Sequence, residues 1–300
     1  MSSLFSKETT IHDSVVQSIK NSLISDGVFK EQDFDMDDII PNDKTHMAVF
    51  LLVDISGSIE EFLNDVNNAV SSFVKSVIEP NSIARDCLEF CYVTFNETVN
   101  VRKKISFLSA RENNSAWCHI NPSEVNGRTD IASALFYAWY MGEKRKEYYK
   151  SKNIKNYFQP IIILVSDLGH NFNHNIPEKQ IKLFDFMLQL ITSKRKAGKL
   201  GMLEIATSKP SDHEHIVISQ MAQALYDLPV GKTTTQTPEQ FVECFNMILK
   251  ECFATAINPG RTGIIRADED EAGVIESTDI FISSDEESKK SIFKKKKLFK

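Results

Sequence analysis

The sequence lacks several features that would place it in a familiar class of proteins. No apolar run approaches the ~20 residues that a helix needs to cross a bilayer. The opening residues, MSSLFSKETT, contain no basic segment followed by an apolar one, so no secretory signal is expected. The 5 cysteines have no zinc-finger spacing, and we expect buried free thiols in a reducing cytosol. A net charge of -6 gives no indication of nucleic-acid binding.

Motifs of common enzyme families are missing as well. The chain has no Walker A loop, no dinucleotide-binding fingerprint and no nucleophile elbow. An aspartate-nucleophile phosphatase has an Asp after its first strand and a second Asp two residues later as general acid. This chain has Asp54 after such a strand, but Ser56 at the second position. We therefore expect a protein that is not an enzyme, with such a phosphatase as the alternative.

The hydrophobic pattern predicts the class of fold. Met47 to Val53 and Pro160 to Val165 are short runs that are apolar throughout, as is typical of strands buried on both faces of a parallel sheet. Strand patterns alternate with helical patterns along the chain. We expect an α/β fold over residues 46–256, with a doubly wound, mainly parallel sheet of about six strands and helices on both faces.

Periodicity and turn residues predict the other elements. They are a helix from Ile59 to Ile78, a hairpin over 87–105 that turns at Asn96-Glu97 and ends in an edge strand, a helix from Ile131 with an exposed charged end over 144–156, a helix over 177–196, a strand over 200–206, a helix over 212–225, a strand over 226–230 and a helix over 237–253.

Two segments flank the predicted domain. Residues 1–45 form an arm with one helix, whose apolar face is Ile11, Val15, Val16, Ile19 and Leu23. This helix is either docked on the domain or a partner-binding segment. Residues 257–300 are first acidic and then basic, with few apolar residues, so we expect a flexible tail. Its basic end, 289–300, is either solvated, which we favour, or in contact with acidic lipid or nucleic acid.

The first buried strand ends in a loop with three oxygen-bearing side chains. Asp54, Ser56 and Ser58 alternate in the sequence DISGS, and Gly57 allows the tight turn that brings them together. Ligands of open α/β sheets bind outside the carboxyl ends of the strands, which is where this loop lies. Carboxylate and hydroxyl oxygens suit Mg²⁺, with Mn²⁺ or Ca²⁺ as alternatives. The alternative reading is that Asp54 and Ser56 only cap the following helix, and that Thr129 and Asp167 cap theirs.

DISGS resembles the Asp-x-Ser-x-Ser signature of the von Willebrand factor A (VWA) family, the first part of its metal-ion-dependent adhesion site. The other two parts have counterparts in Thr129, before a predicted helix, and Asp167, after the second buried strand. The resemblance implies that Ser56, Ser58 and Thr129 bind the ion directly, and that Asp54 and Asp167 do so directly or through water. One position would remain for a Glu or Asp carboxylate of a partner protein.

The sequence departs from the family pattern at two places. Arg128 stands where a Gly often precedes the Thr, and it either weakens cation binding or helps to hold an acidic ligand. Leu168 separates Asp167 from the Gly that often follows directly. Neither change removes an oxygen ligand.

Within the family, the chain looks most like intracellular bacterial VWA proteins of the tellurite-resistance TerY type. The short hairpin, Thr94-Phe95 at the end of its first strand, and Phe158-Gln159-Pro160 before the second buried strand carry this resemblance. It implies a cytoplasmic scaffold in a stress or phage-defence system, with a kinase and a phosphatase of that system as partners. A cell-surface adhesin is the competing role.

Overall fold

The computed structural model describes residues 13–38, 42–79, 82–113, 115–166, 178–197 and 199–206. These ranges contain the helices α1 (Asp13–Ser25), α2 (Leu63–Ile78), α3 (Ile131–Ser151) and α4 (Glu178–Lys196). They also contain the strands β1 (Met47–Asp54), β2 (Leu88–Phe95), β3 (Val99–Phe107), β4 (Ile161–Ser166) and β5 (Gly201–Ala206). Across these described ranges, no helix is both long enough and apolar enough to span a membrane.

The strands form one sheet in the order β3-β2-β1-β4-β5. β1 is parallel to β2 and to β4, and β4 is parallel to β5, whereas β3 is antiparallel to β2 at one edge. From β1 the chain passes to β2 on one side and later to β4 on the other, so the switch point of the winding lies at β1. The predicted α/β class is confirmed; the predicted strand 226–230 and the helices 212–225 and 237–253 lie outside the described residues.

β1 is the centre of the core. All its residues are buried, and alternate side chains point to opposite faces of the sheet. Val49, Leu51 and Val53 pack with α2 on one face. Phe50 and Leu52 pack with α1, α3 and α4 on the other. Each large side chain buried here stabilises the fold by about 1.5–3 kcal/mol, which explains the unbroken apolar run of this strand.

The predicted helix after β1 begins later than expected. Residues Gly57–Phe62 form a 3₁₀ turn, and the α-helix starts at Leu63 rather than at Ile59. In a 3₁₀ turn, residues three apart lie on the same side, and Ile59 and Phe62 are both buried. The tighter turn therefore buries two apolar side chains close to the end of β1.

The helix of the arm docks on the domain. Val16 and Leu23 are buried in the same core cluster as α3, although Val15, predicted on the same face, is 46% exposed. Beyond the helix, the ring of Phe29 stacks on that of Tyr137 with centroids 5.4 Å apart. Of the two alternatives for the arm helix, the docked one is therefore observed. α3 is covered by the sheet on one side and by the arm on the other, which explains why every residue from 131 to 142 is buried.

A polar cluster lies at the amino end of the sheet, and the sequence analysis missed it. Glu89 is fully buried, and its carboxylate contacts Nδ1 of His46 at 2.9 Å, the hydroxyl of Tyr149 at 2.6 Å and Nε of Arg145. The prediction of an exposed helix end over 144–156 is therefore wrong for Arg145 and Tyr149, which are fully buried. Burial, together with the Glu89 carboxylate, raises the pKa of Tyr149 well above its usual value, so Tyr149 stays a donor.

Candidate metal centre

The first loop of the candidate site begins where β1 ends. Asp54 closes the strand and is 1% exposed. Its Oδ1 accepts a hydrogen bond of 2.8 Å from the backbone N–H of Ser56. Its Oδ2 accepts one of 2.8 Å from the hydroxyl of Ser166, the last residue of β4. These bonds fix the orientation of the carboxylate at the carboxyl edge of the sheet.

Ser56 and Ser58 present their hydroxyls side by side, with Oγ atoms 3.0 Å apart. Neighbouring ligands of an octahedral ion with bonds of about 2.0–2.1 Å are separated by about 2.9 Å. The two hydroxyls are hydrogen-bonded to each other, at a distance that is also compatible with two adjacent ligands of one Mg²⁺. Ser56 is buried, whereas Gly57 and Ser58 are exposed, so the pair lies at the boundary between core and solvent. The first loop fits a hard divalent ion that a partner can approach.

Helix capping does not account for Ser56. Ser56 precedes the 3₁₀ turn, but its side chain makes no capping hydrogen bond. The cap of α3 is Asp130 rather than Thr129, because the Asp130 side chain accepts a hydrogen bond of 3.1 Å from the N–H of Ser133. Asp54 accepts a hydrogen bond from a nearby N–H in the manner of a cap. The capping alternative therefore fits Asp54 but not Ser56, and the cap of α3 is Asp130.

The second loop, residues 126–130, lies against the first. The backbone N–H of Asn126 donates a hydrogen bond of 3.0 Å to the carbonyl of Ile55, within the DISGS turn. Thr129 follows three residues later and is 5% exposed. The loop that carries Thr129 and the loop that carries Asp54 and the two serines are thus joined by a backbone hydrogen bond.

The third predicted loop can be followed only to its first residue. β4 runs parallel to β1, with Val165 aligned with Val53, so both strands end at the same edge of the sheet. Asp167 lies outside the described residues, and its role as a ligand stays a prediction. In the described part of the chain, no three His, Cys, Asp or Glu side chains are grouped to hold a metal. The candidate site therefore depends on hydroxyl oxygens as well as carboxylates.

An exposed pair of opposite charges lies beside the second loop. Nε of Arg128 is 4.0 Å from a carboxylate oxygen of Glu97, and the two side chains are 50% and 60% exposed. An ion pair at this distance and exposure is weak, about 1 kcal/mol or less. Arg128 is therefore not committed to Glu97 and can turn towards another acidic group.

Three residues of the site were not found from the sequence. Asp130 could have been, because an Asp directly before a helical pattern is a common cap. Ser166 could not, because its hydrogen bond to Asp54 spans 112 residues of sequence. Asn96 was read only as a turn residue, yet its side chain donates a hydrogen bond of 3.0 Å to the carbonyl of Asn126 in the second loop.

No protein-family model matches the chain, and no curated protein matches it. Among solved structures, it is similar to a point mutant of the PilB minor pilin from Streptococcus sanguinis, with 12% identity over 73% of this chain and 64% of that one and a TM-score of 0.48. The chain thus spans less than two thirds of that pilin.

The chain also has some similarity to a vWF domain and to a manganese-loaded protein. One is the vWF domain of the type V pili tip protein Mfa5 from Porphyromonas gingivalis, with 11% identity over 74% of this chain and 99% of that one and a TM-score of 0.43. The other is the manganese-loaded TRAP protein of Plasmodium vivax, with 16% identity over 63% of this chain and 66% of that one and a TM-score of 0.36. All of these TM-scores are below 0.5, so the α/β class is drawn from the strand order of the chain itself.

Proposed function

We propose that this chain is a metal-dependent protein-interaction module of the VWA type, in which a bound divalent ion receives an acidic side chain of a partner. The observation that carries the proposal is the pair of Ser56 and Ser58 hydroxyls, 3.0 Å apart beside the buried carboxylate of Asp54. The pair lies at the carboxyl end of β1, the switch point at which open α/β sheets bind their ligands.

The oxygen atoms proposed as ligands suit a hard ion. Ser56, Ser58 and Thr129 would hold it directly, and Asp54 and Asp167 directly or through water. Mg²⁺ is the preferred ion, because it favours oxygen ligands in an octahedron and keeps waters that another ligand can displace; Mn²⁺ and Ca²⁺ are alternatives. When bound, the ion supplies a positive centre that two carboxylates only just neutralise, so a further anion is attracted to it.

The surroundings of the serine pair favour a macromolecular partner with an acidic side chain. Ser58 and Gly57 are exposed at the rim. Arg128, 50% exposed and only loosely paired, adds a positive charge next to Thr129. A Glu or Asp that reached the ion would therefore find a second favourable charge nearby. Of the two roles considered for Arg128, we favour the one in which it helps to hold the acidic ligand.

The metal site is tested by titrating Mn²⁺ or Mg²⁺ into the purified protein in a calorimeter. We expect Ser58→Ala to weaken binding about tenfold or more, because it removes one of the proposed ligands. Ser58 is exposed, so this change leaves the buried hydrogen bonds of Asp54 intact. Ser14→Ala, at an exposed serine of α1, is the matched control. Equal affinities of the two variants would contradict the proposal.

The partner is tested by affinity purification with and without Mg²⁺. We expect EDTA, Asp54→Ala and Thr129→Ala each to abolish recovery of the partner. Asp54→Asn is a gentler variant, because its amide oxygen can still accept the bond from the Ser56 N–H that Oδ1 accepts now. The control is Asp86→Ala, a half-exposed aspartate before β2 and so near the opposite edge of the sheet. Partner recovery that survives both EDTA and Asp54→Asn would refute cation-bridged binding.

The cellular setting of the proposal is a cytoplasmic scaffold in a bacterial stress or phage-defence system, with a kinase and a phosphatase of that system as partners. It is supported by the sequence resemblance to TerY-type proteins. The competing role is a cell-surface adhesin. Fractionation of cells that express the tagged full chain separates the two, because an adhesin would be recovered at the cell surface.

We propose a binding role rather than catalysis. A nucleophilic aspartate has to reach a phosphorus atom, but Asp54 is 1% exposed and each of its oxygens already accepts a hydrogen bond. Release of phosphate from an aryl phosphate by the purified protein, abolished in Asp54→Asn, would favour the phosphatase alternative instead.

A further inference from the structure

Asn96 connects the β2–β3 hairpin to the loop that carries Thr129. On the hairpin side, its Oδ1 accepts hydrogen bonds from the N–H and the hydroxyl of Thr98, at 3.1 Å and 3.2 Å. On the loop side, its Nδ2 donates to the carbonyl of Asn126 at 3.0 Å, and its backbone carbonyl accepts from the N–H of Asp130 at 2.8 Å. One residue thus holds both ends of the 126–130 loop.

The loop also packs directly on the hairpin turn. Gly127 has a φ of 78°, a left-handed backbone conformation that residues other than Gly rarely adopt. A Cβ atom built there would lie 3.6 Å from Cγ of Glu97 and 3.7 Å from Nδ2 of Asn96, in ordinary contact. The short distance between loop and turn means that a change in Asn96 is transmitted to the loop without an intervening flexible segment.

The same turn is tied to the end of β1. The N–H of Ile55 donates a hydrogen bond of 2.8 Å to the carbonyl of Phe95, the residue before Asn96. The carbonyl of Ile55 accepts the bond from Asn126. Strand end, hairpin turn and second loop therefore form one hydrogen-bonded unit, and the side-chain hydrogen bonds of Asn96 join the turn to the loop.

We propose that Asn96 is a positioning residue for the metal site. The amide of Asn96 holds the second loop so that the hydroxyl of Thr129 binds the ion together with the hydroxyls of Ser56 and Ser58. This inference depends on the proposed function. Only an amide serves both neighbours, because one end must accept from Thr98 while the other donates to Asn126. An Asp at this position keeps the acceptor and loses the donor, and its second oxygen would face the Asn126 carbonyl.

The test compares Asn96→Asp with Thr98→Val by Mn²⁺ titration, with the midpoint of thermal unfolding measured in EDTA. Thr98→Val removes one hydrogen bond within the turn but none to the loop. Groups that orient metal ligands through hydrogen bonds typically change affinity tenfold to a hundredfold when removed. We expect Asn96→Asp to weaken Mn²⁺ binding by about that factor and Thr98→Val by less than about twofold, with similar unfolding midpoints. Asn96→Ala removes the donor without adding a charge, and we expect it to weaken Mn²⁺ binding about as much as Asn96→Asp does.

The outcomes separate this inference from the proposed function. Wild-type affinity in both Asn96 variants would overturn the positioning role, as would a loss of affinity matched by Thr98→Val. A purely structural role predicts lower unfolding midpoints with an unchanged dissociation constant in the folded protein. Failure of the wild-type chain to bind Mn²⁺, or equal binding by Ser58→Ala, would overturn the proposed function itself.

Discussion

Glu89 is the residue whose replacement is expected to affect stability most. Its carboxylate is the acceptor for three side chains in a cluster with no exposed member, and among them Arg145 carries a permanent positive charge. Glu89→Gln removes the negative charge while keeping nearly the same volume. Arg145 then remains fully buried without its counter-charge, although it keeps its hydrogen bond of 3.0 Å to the carbonyl of Asp37 in the arm.

The expected loss follows from the cost of a buried, unpaired charge. Removing one partner of a buried ion pair typically costs about 3–5 kcal/mol, because the other charge cannot return to water. Domains of this kind have a free energy of unfolding of about 5–15 kcal/mol, so the variant should remain folded but be much less stable. With a urea dependence of about 2–3 kcal/mol per molar, the midpoint should fall by about 1–2.5 M.

The assay is urea unfolding followed by circular dichroism. Glu147→Gln is the matched control on α3, since Glu147 is 64% exposed and forms a surface ion pair with Lys144. Glu147→Gln should lower the free energy of unfolding by less than about 1 kcal/mol. Combining Glu89→Gln with Arg145→Met removes both charges, so we expect the double variant to be more stable than the sum of the single losses by about 2 kcal/mol or more.

The reasoning would be refuted by additive losses in the double variant, or by a Glu89→Gln loss no larger than that of Glu147→Gln. Either result would mean that Arg145 does not depend on Glu89 for its counter-charge.

Three further predictions test other parts of the structure. Burial raises the pKa of Cys91 from 9.0 to about 12. Above pH 9 the unfolded chain therefore releases a proton that the folded chain keeps. The contribution of this thiol to the free energy of unfolding is constant below pH 9 and should fall between pH 9 and about 12. Urea midpoints at pH 8 and pH 10 check the sign, and a higher midpoint at pH 10 would contradict it. Phe34→Ala should lower the free energy of unfolding by about 2–4 kcal/mol, because the Phe34 ring packs on two aromatic rings of α3. Val15→Ala, at an exposed residue of the same arm, should lower it by less than about 0.5 kcal/mol. Equal urea midpoints of the two variants would mean that the arm is not part of the core. Gly142→Ala should destabilise by about 1–3 kcal/mol, despite the better helix propensity of Ala, because its Cβ would lie 3.0 Å from Cβ of Pro160; an unfolding temperature at or above that of the wild type would refute this close contact.

The fold was predictable where burial leaves a local mark on the sequence. β1 and β4 are apolar up to their last residues because both faces of a central parallel strand are covered, and the pattern predicted their positions to within a residue. The start of α2 could not be predicted, because Ile59 and Phe62 fit an α-helical pattern and a 3₁₀ pattern equally well.

The charged end of α3 illustrates the limit of local patterns. Arg145 lies between lysines, which indicates an exposed helix, but its partner Glu89 is 56 residues away in the sequence. No window of sequence contains both charges. The candidate site was easier, because each of its predicted ligands follows or precedes an element whose own pattern is clear. The convergence of the first two loops depends on Asn96 and Ile55, whose backbone hydrogen bonds no pattern records.

The length of β1 has a consequence for how this protein can change. At about 3.3 Å per residue, the strand separates the sealed ionic cluster around His46 from the open rim around Asp54 by about 25 Å. The buried cluster that stabilises the fold and the exposed residues of the candidate site therefore lie at opposite ends of the sheet. If the proposed function holds, substitutions at Arg128 or Glu97 would change which acidic partner is bound without altering the buried cluster, so this rim could be varied in a designed library at little expense of stability.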